Sequence, residues 1–274
     1  MKILITGSSG FVGKHLVKKL SRNHKIATYD LIKGQDVLDS ELLAQKLKDV
    51  DLIVHLAAFI SATESWQKPM EYMKNNALGT LSVIRCAIDA GVKKIIFFSS
   101  AAVKAKPLTP YAISKISAEE IIKLYSEKIN TVIIRPENIY GSGQKEAYGY
   151  VIHNFIKSVQ AGKSVNIYGD GYQTRDFVYI DDVVQTVEKL IKLKTMSGTV
   201  ISLGTGKPTK IINLAKTTMK ILNKEVEIKF SNERNEPRSS FADVKTLSKI
   251  GIDAKKFVGL KEGVKKLIKN QYTG

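Results

Sequence analysis

Gly7-Ser8-Ser9-Gly10-Phe11-Val12-Gly13 constrains this chain more than any other segment, because it follows a short apolar run, Lys2–Thr6, and leads straight into helical spacing over residues 13–20. Glycines at such a junction let the backbone turn tightly and approach a ligand closely, and a helix start offers unpaired N–H groups to an anion. A second strand over residues 26–30 ends in a carboxylate, Asp30. A carboxylate there accepts hydrogen bonds from ribose hydroxyls and repels a 2′-phosphate, which favours NAD over NADP. Lys33 stands close by and pulls the other way. The spacing is GxxGxxG, not the commoner GxGxxG, so the glycines alone fit a plain tight turn as well; the strand before and Asp30 after make a dinucleotide site the better reading.

The first half continues this rhythm. Strands are expected at 51–56, 94–98 and 131–135, and helices at 41–47, 69–90 and 111–127, with Gly91 as a natural helix stop. Strands alternating with helices of this length predict right-handed crossovers and a parallel sheet covered on both faces, the doubly wound α/β (Rossmann) class. After Gly141 the pattern loosens, with helices expected at 150–160, 181–194 and 211–222 and a strand at 199–203. Residues 1–140 are read as an NAD-binding domain, with 165–195 packing back on it. Residues 141–164 and 196–274 are read as a smaller, discontinuous α/β substrate-binding lobe. There are no internal repeats or low-complexity tracts.

Composition removes other classes. Hydrophobic residues make up 43% of the 274 positions and charged residues 25%, which excludes a disordered chain, a collagen-like fibre or a coiled coil. No run approaches the roughly 18 apolar residues of a membrane span. The amino end turns glycine-rich after Ile3-Leu4-Ile5, too soon for a signal-peptide core. The single cysteine, Cys86, excludes an internal disulfide and a cysteine-rich metal site. A cytoplasmic protein with no metal is expected. The net charge is +17, and residues 186–274 carry 19 Lys plus Arg against 8 Asp plus Glu. These lysines are spread through amphipathic segments without interleaved aromatics, so they predict a solvated face and not a nucleic-acid groove. Only 6 of the 43 basic residues are arginine. In a lysine-rich chain, arginine marks a need for the planar fork that grips carboxylate or phosphate. Arg135, Arg175 and Arg238 fall in the motifs below.

A catalytic group is written in Pro110-Tyr111-Ala112-Ile113-Ser114-Lys115. Four residues of spacing put Tyr111 and Lys115 on one helix face. A phenol with a pKa of about 10 is a poor base, but a neighbouring ammonium stabilises its anion. So tuned, Tyr111 could take a proton from a substrate hydroxyl as hydride leaves the carbon. The spacing by itself is common on helix surfaces. Ser99-Ser100-Ala101-Ala102 strengthens it, because it follows the 94–98 strand at the carboxyl edge where such sheets bind ligands. Ser100 could orient the reacting oxygen; its plainer role is a turn cap. His55 has no partners at metal-ligand spacing and reads as a packed or capping residue, Cys86 as a small core residue, and Trp66 as either a packing or a pocket residue.

Together these residues resemble the extended short-chain dehydrogenase/reductase family, the NAD-dependent epimerases and dehydratases of nucleotide sugars. The resemblance runs nearly end to end: GSSGFVG (7–13), Asp30, Asp36-Val37, HLAA (55–58), NNALGT (75–80), SSAAV (99–103), PYAISK (110–115), RPENIYGSGQ (135–144), YGDGYQTRDFVYIDDV (168–183) and RNEPRSSFAD (234–243). Residues 64–80 look most like UDP-galactose 4-epimerases.

The resemblance implies NAD held by Gly7, Ser9, Gly10, Phe11, Val12, Gly13, Asp30, Asp36, Val37, Leu56, Ala57, Ala58, Asn76 and Ser99, with Tyr111 and Lys115 also facing it. It implies Ser100, Tyr111 and Lys115 as the catalytic trio. Ser100, Asn138, Arg175 and Arg238 would hold the sugar nucleotide, a UDP- or dTDP-hexose, with the two arginines on its diphosphate. Arg135 is expected beneath the site in a structural role, and Asp181-Asp182 as a domain-joining acid and a helix start. The 4,6-dehydratases place an acid pair directly after the active Ser or Thr; here those positions are Ala101-Ala102. Phe59-Ile60 stands where UDP-galactose epimerases often carry Leu-Lys, Glu137 where an aromatic is usual, and residues 104–109 form a shortened loop. The expected activity is C4 epimerisation of a nucleotide sugar of the UDP-glucose/UDP-galactose type through a transient 4-keto intermediate. The alternatives are an NAD(P)H-dependent reductase or dehydrogenase of a 4-keto nucleotide sugar and a non-catalytic cofactor sensor. A homodimer through the helices beginning near Met70 and Tyr111 is the implied assembly.

Overall fold

A computed structural model describes residues 1–144, 150–194, 196–234 and 236–272; Asn235, in the last of the family-like segments, lies outside them. The chain forms two compact units, Met1–Lys104 with Leu108–Arg135 and Val184–Ile201, and Ala105–Pro107 with Pro136–Val183 and Ser202–Gly274.

In the first unit strands and helices alternate as expected: β1 (Lys2–Thr6), α1 (Phe11–Leu20), β2 (Lys25–Tyr29), α2 (Ser40–Lys46), β3 (Leu52–His55), α3 (Pro69–Tyr72), α4 (Gly79–Asp89), β4 (Lys94–Phe98), α5 (Pro110–Leu124) and β5 (Asn130–Pro136). The pairs β2–β1, β1–β3, β3–β4 and β4–β5 are all parallel. Near-continuous apolar strands such as Ile3-Leu4-Ile5 and Ile95-Ile96-Phe97 are buried on both faces, as parallel strands under helices must be. On one face Leu4, Ile53, Phe97 and Ile133 pack with Leu43, Ile84 and Ile122. Parallel strands put all their carboxyl ends on one edge. That edge therefore collects the glycine loop after β1, Asp30 after β2, Leu56 after β3 and Ser99 after β4.

The single helix expected over residues 69–90 is instead interrupted. Between α3 and α4, Met73–Leu78 makes one π-helical turn. Such a turn holds one extra residue and tends to mark functional sites. Thr109 starts α5 by accepting the Ala112 N–H at 3.1 Å, and Pro110 occupies the first turn, where its missing N–H costs nothing.

The second unit begins with β6 (Asn138–Tyr140), α6 (Val151–Gln160), β7 (Val165–Tyr168), β8 (Thr174–Arg175) and β9 (Phe177–Tyr179). Helix α7 (Ile180–Lys192) and strand β10 (Thr199–Leu203), the edge of the six-stranded sheet beside β5, follow. Then come β11 (Thr209–Lys210), α8 (Ile211–Leu222), β12 (Ile228–Ser231), β13 (Ser239–Ser240), α9 (Lys245–Lys249) and α10 (Leu260–Gln271). Residues 165–183 belong here and not with the first unit, because β7 pairs with β12, β8 with β11 and β13, and β9 with β6. Only the stretch from Val184 to Ile201 joins the sheet unit. Asp181 and Asp182 lie in the first turn of α7, where Asp182 accepts the Val258 N–H at 2.9 Å. Burial, helped by the Asp181 charge, pushes Asp182 up to about 6 against the opposing hydrogen bond from Val258.

Helix α10 meets β6 through a glycine. A Cβ on Gly263 would overlap the Tyr140 hydroxyl, and that hydroxyl is buried with no hydrogen-bond partner among the described residues. Gly263→Ala should therefore destabilise by about 1–3 kcal/mol, the usual cost of overpacking. Tyr140→Phe should be neutral or stabilising, since it removes an unpaired buried polar group. Urea midpoints of the two variants check both expectations.

Candidate active site

The glycine loop is built by contact. Gly7 has φ +67°, and a Cβ there would lie 2.8 Å from the Ala57 amide nitrogen. A Cβ on Gly13 would strike the Gly7 carbonyl, so only glycine lets α1 sit this close to β1. Helix α1 starts at Phe11 with no side-chain cap at Gly10 and no acid in its first turn, leaving its positive end open to an anion. Phe11 packs edge-on to His15, ring centroids 5.3 Å apart. Asp30 is buried and locks the loop: Oδ2 accepts the Ser9 N–H at 2.7 Å and Oδ1 the Ile32 N–H at 3.0 Å. Each carboxylate oxygen keeps a second lone pair for a ribose hydroxyl. Lys33, the residue that argued the other way, reaches back to Thr28 Oγ1 at 3.4 Å. Asp36 accepts the Tyr29 hydroxyl on its carbonyl and the Leu38 N–H on its carboxylate, and Val37 packs against Gly79, where a Cβ would come within 2.7 Å of it. An uncapped helix start, a loop with no room for side chains and a buried strand-end acid together fit NAD.

Leu56 and Ala57 hang from β1: both N–H groups donate to Thr6 Oγ1 at 3.2 Å. Beside them His55 is buried, with Nδ1 2.7 Å from Thr6 Oγ1 and Nε2 3.1 Å from Thr80 Oγ1. The Thr80 hydroxyl donates to Asn76 O at 2.6 Å, so it must accept from His55 Nε2–H. Thr6 Oγ1 already accepts the Leu56 and Ala57 N–H groups, so its own proton goes to Nδ1 and the imidazole is neutral, in keeping with a pKa driven down to about 3 by burial and then by the charge of Lys115. His55 is the packed residue expected, joining β1, β3 and α4.

Asn76 is held from several sides by the protein. Its Nδ2 donates to Phe59 O and to Ser114 Oγ, each at 2.9 Å, and its Oδ1 accepts from Phe59 N at 2.8 Å and Asn75 Nδ2 at 3.0 Å. The amide is spent on the protein. It positions the 59 segment against α5 from the π turn. Trp66 is 63% exposed, so it is not a core residue, and half-buried Cys86 meets Ser40 O at 3.8 Å.

Tyr111, Ser114 and Lys115 are brought together on the buried side of α5. Ser114 Oγ donates to Tyr111 O at 2.7 Å, and Tyr72 packs edge-on to the Tyr111 ring at 6.3 Å. Lys115 is 2% exposed; its Nζ donates to Phe98 O at 2.7 Å and lies 4.3 Å from the centre of the Phe97 ring. Burial lowers its pKa from 10.5 to about 7, with Glu119 acting in the opposite direction. Glu119 is the residue that the sequence reading passed over. Burial acts to raise its pKa, but Arg135, the Ser99 hydroxyl and Lys123 together hold it below the ordinary value. Arg135 grips it with Nε at 2.8 Å and Nη2 at 2.5 Å, the structural role expected of that arginine. Ser100 Oγ accepts the Ala102 N–H at 3.1 Å, capping the turn Ala101–Lys104 while its proton stays available. Ala101 and Ala102 present only methyl groups.

In the second unit Asn138, Arg175 and Arg238 line one cavity of about 360 Å³, together with Phe155, Ile167 and Ile211. Asn138 Nδ2 donates to Asp176 O at 2.9 Å. Arg175 donates to Thr174 O and Pro237 O and meets Glu236 at 2.9 Å; Arg238 meets Asp170 at 2.5 Å. An anion would compete with these carboxylates for the forks. A third arginine, Arg234, lies on the Tyr168 ring 3.5 Å from its centre. The scarcity of arginine pointed to it as much as to its neighbours.

Residues 3–204 match the profile of the NAD dependent epimerase/dehydratase family. A UDP-glucose 4-epimerase of Thermotoga maritima, solved with UDP-glucose, is 28% identical with a TM-score of 0.91, covering 98% of both chains. A UDP-N-acetylglucosamine 4-epimerase of Methanobrevibacter ruminantium, solved with UDP-N-acetylmuramic acid, is 29% identical with a TM-score of 0.89 over 98% of this chain and 97% of that one. A dTDP-D-glucose 4,6-dehydratase of Dictyostelium discoideum is 30% identical over 81% of this chain and 62% of its own.

The depressed Lys115 pKa has a sign. Between about 7 and 10.5 the unfolded chain binds a proton that the folded one does not, so stability rises with pH across that window. The burial penalty is full below pH 7 and fades towards pH 10.5. Lys115→Met should therefore be more stable than the parent at pH 6, with the advantage shrinking by pH 9, as read from urea midpoints.

Proposed function

The chain belongs to the NAD-dependent epimerase/dehydratase family, and from that premise we propose that it epimerises a nucleotide sugar at C4, of the UDP-glucose/UDP-galactose type. The observation that carries this reading is the complete set Ser100, Tyr111 and Lys115 followed by the methyl groups of Ala101 and Ala102. The family's 4,6-dehydratases place an acid pair there, and elimination of water from the sugar needs those acids.

Gly7, Ser9, Gly10, Phe11, Val12 and Gly13 would receive the pyrophosphate of NAD, Asp30 its ribose hydroxyls, and Asp36 and Val37 its adenine. Leu56, Ala57, Ala58 and Ser99 would line the remainder. Bound NAD supplies the hydride acceptor and, on the return, the hydride donor. Tyr111 takes the proton of the C4 hydroxyl and later gives it back; because the 4-keto sugar turns over in the pocket before the hydride returns to its other face, the sugar leaves inverted at C4 with no net oxidation. Lys115 sets the charge around the phenol: an ammonium next to it favours the phenolate. Ser100 donates its free proton to the reacting oxygen and orients it. In the second unit, Arg175 and Arg238 would exchange their carboxylate partners for the diphosphate, with Asn138 on the sugar side.

Met70, Leu78 and Ile113, exposed on the segments beginning at Pro69 and Pro110, are the apolar surface through which a homodimer would form. No helix among the described residues is long and apolar enough to cross a membrane, and a cytoplasmic enzyme is part of this reading.

Purified protein should interconvert UDP-glucose and UDP-galactose, or their N-acetyl forms, with no net change in nicotinamide absorbance. A stoichiometric absorbance change would instead identify a ketoreductase, and no turnover of any of these sugars would end the epimerase reading. Tyr111→Phe should lower kcat by about 10²–10⁴, the usual contribution of a positioned acid–base group. Arg238→Ala should raise KM by about tenfold and leave kcat nearly unchanged, the scale of one charge-assisted hydrogen bond.

A further inference from the structure

The second unit holds a buried imidazole that the proposed chemistry does not use. His153 on α6 is 1% exposed, and both ring nitrogens are engaged: Nε2 lies 2.9 Å from Gln144 Oε1 and Nδ1 lies 2.7 Å from the Tyr272 hydroxyl. The Gln144 amide nitrogen donates to Ile139 O at 3.1 Å. Its oxygen therefore faces His153 and must receive the Nε2 proton. In the neutral ring Nδ1 is then the acceptor and the Tyr272 hydroxyl its donor. Tyr272 is itself anchored, its N–H donating to Ile268 O at 2.9 Å and its carbonyl accepting Gln160 Nε2 at 3.2 Å. Its neighbour Gln271 accepts the Gly143 N–H on Oε1 at 3.0 Å.

These bonds converge on two segments that wall the arginine cavity. Strand β6 carries Asn138, and helix α6 carries Val151, Asn154 and Phe155. Gln144 reaches back to β6, His153 is rooted on α6, and Tyr272 arrives from the end of α10. Neither His153 nor Tyr272 lines the cavity itself.

We propose that Tyr272, acting through His153 and Gln144, is a positioning residue that holds β6 and α6 in the arrangement Asn138 and Phe155 need to receive a nucleotide sugar. This rests on the reading of that cavity as the sugar-nucleotide site. Removing the hydroxyl deletes the 2.7 Å bond at Nδ1 and uncouples Tyr272 from the chain of bonds that runs through His153 and Gln144 to Ile139. The effect falls on binding and spares the chemistry, because Ser100, Tyr111 and Lys115 belong to the other unit.

The test compares the parent with Tyr272→Phe and, as a second variant, Gln271→Ala, using hydrogen–deuterium exchange, UDP titration calorimetry and steady-state kinetics with a UDP-hexose that the parent converts. In Tyr272→Phe, amides of 138–144 and 150–160 should exchange about tenfold faster while those of β1–β4 keep the parental rate, the scale expected for one lost buried hydrogen bond. UDP affinity should fall and KM rise by about the same factor, with kcat and bound NAD unchanged. Gln271→Ala should give the same pattern, more weakly. Unchanged exchange and affinity would overturn the proposal; so would faster exchange across both units, or a fall in kcat at constant KM. If the parent binds no UDP, the reading of the cavity fails and this inference falls with it, whatever the exchange shows.

Discussion

A buried ammonium sets the terms for the sheet unit. Taking Lys115 out of water is costly, and three groups replace the solvent: the Phe98 carbonyl, the face of Phe97 and the field of Glu119. Glu119 can stay an anion in that interior because Arg135 meets both its oxygens, from β5 beneath. The line Tyr111, Lys115, Glu119 advances four residues at a time along α5, so one helix face carries the phenol, the cation and the anion in order. The cation in the middle of this line therefore rests on an ion pair at its far end.

Much of this was legible in the sequence. Glycines at 7, 10 and 13, a strand-end Asp30 and the Tyr111/Lys115 spacing encode local geometry directly, through backbone space and helical period, and they land together on the carboxyl edge of the sheet. Glu119 and Arg135 were visible as residues, but not as partners. Their pairing is a tertiary contact across 16 positions, and no local rule ties one to the other. Asn76 is a similar case: its amide joins Phe59 and Ser114 across 17 and 38 positions, contacts that no local rule in its segment announces.

The second unit was less readable for a physical reason. Its strands are short, several of only two or three residues, and they pair across long separations, as Thr174–Arg175 does with Ser239–Ser240. Periodicity has too few residues there to declare itself. What organises the region is a buried carboxylate, Asp176, which accepts from Thr205 N and Oγ1, Gly206 N and Ala242 N, while its carbonyl takes the Asn138 N–H. Gly204 makes room for it: a Cβ there would lie 2.5 Å from Asp176 Oδ2. Side-chain to backbone bonds of this kind leave no periodic trace in a sequence.

The π turn at Met73–Leu78 makes residue count, and not only residue identity, part of the design. Asn76 reaches Phe59 and Ser114, and Gly79 receives Val37, because one surplus position is folded into the helix between Tyr72 and Gly79. If that position were kept and the segment tightened to ordinary α geometry, everything before it would swing by about 100° around the axis; deleting the position would keep the flanks aligned but remove the wide turn from which Asn76 reaches Phe59 and Ser114. Relatives of this chain should therefore tolerate exchanges of side chain in that turn far more readily than any change in its length.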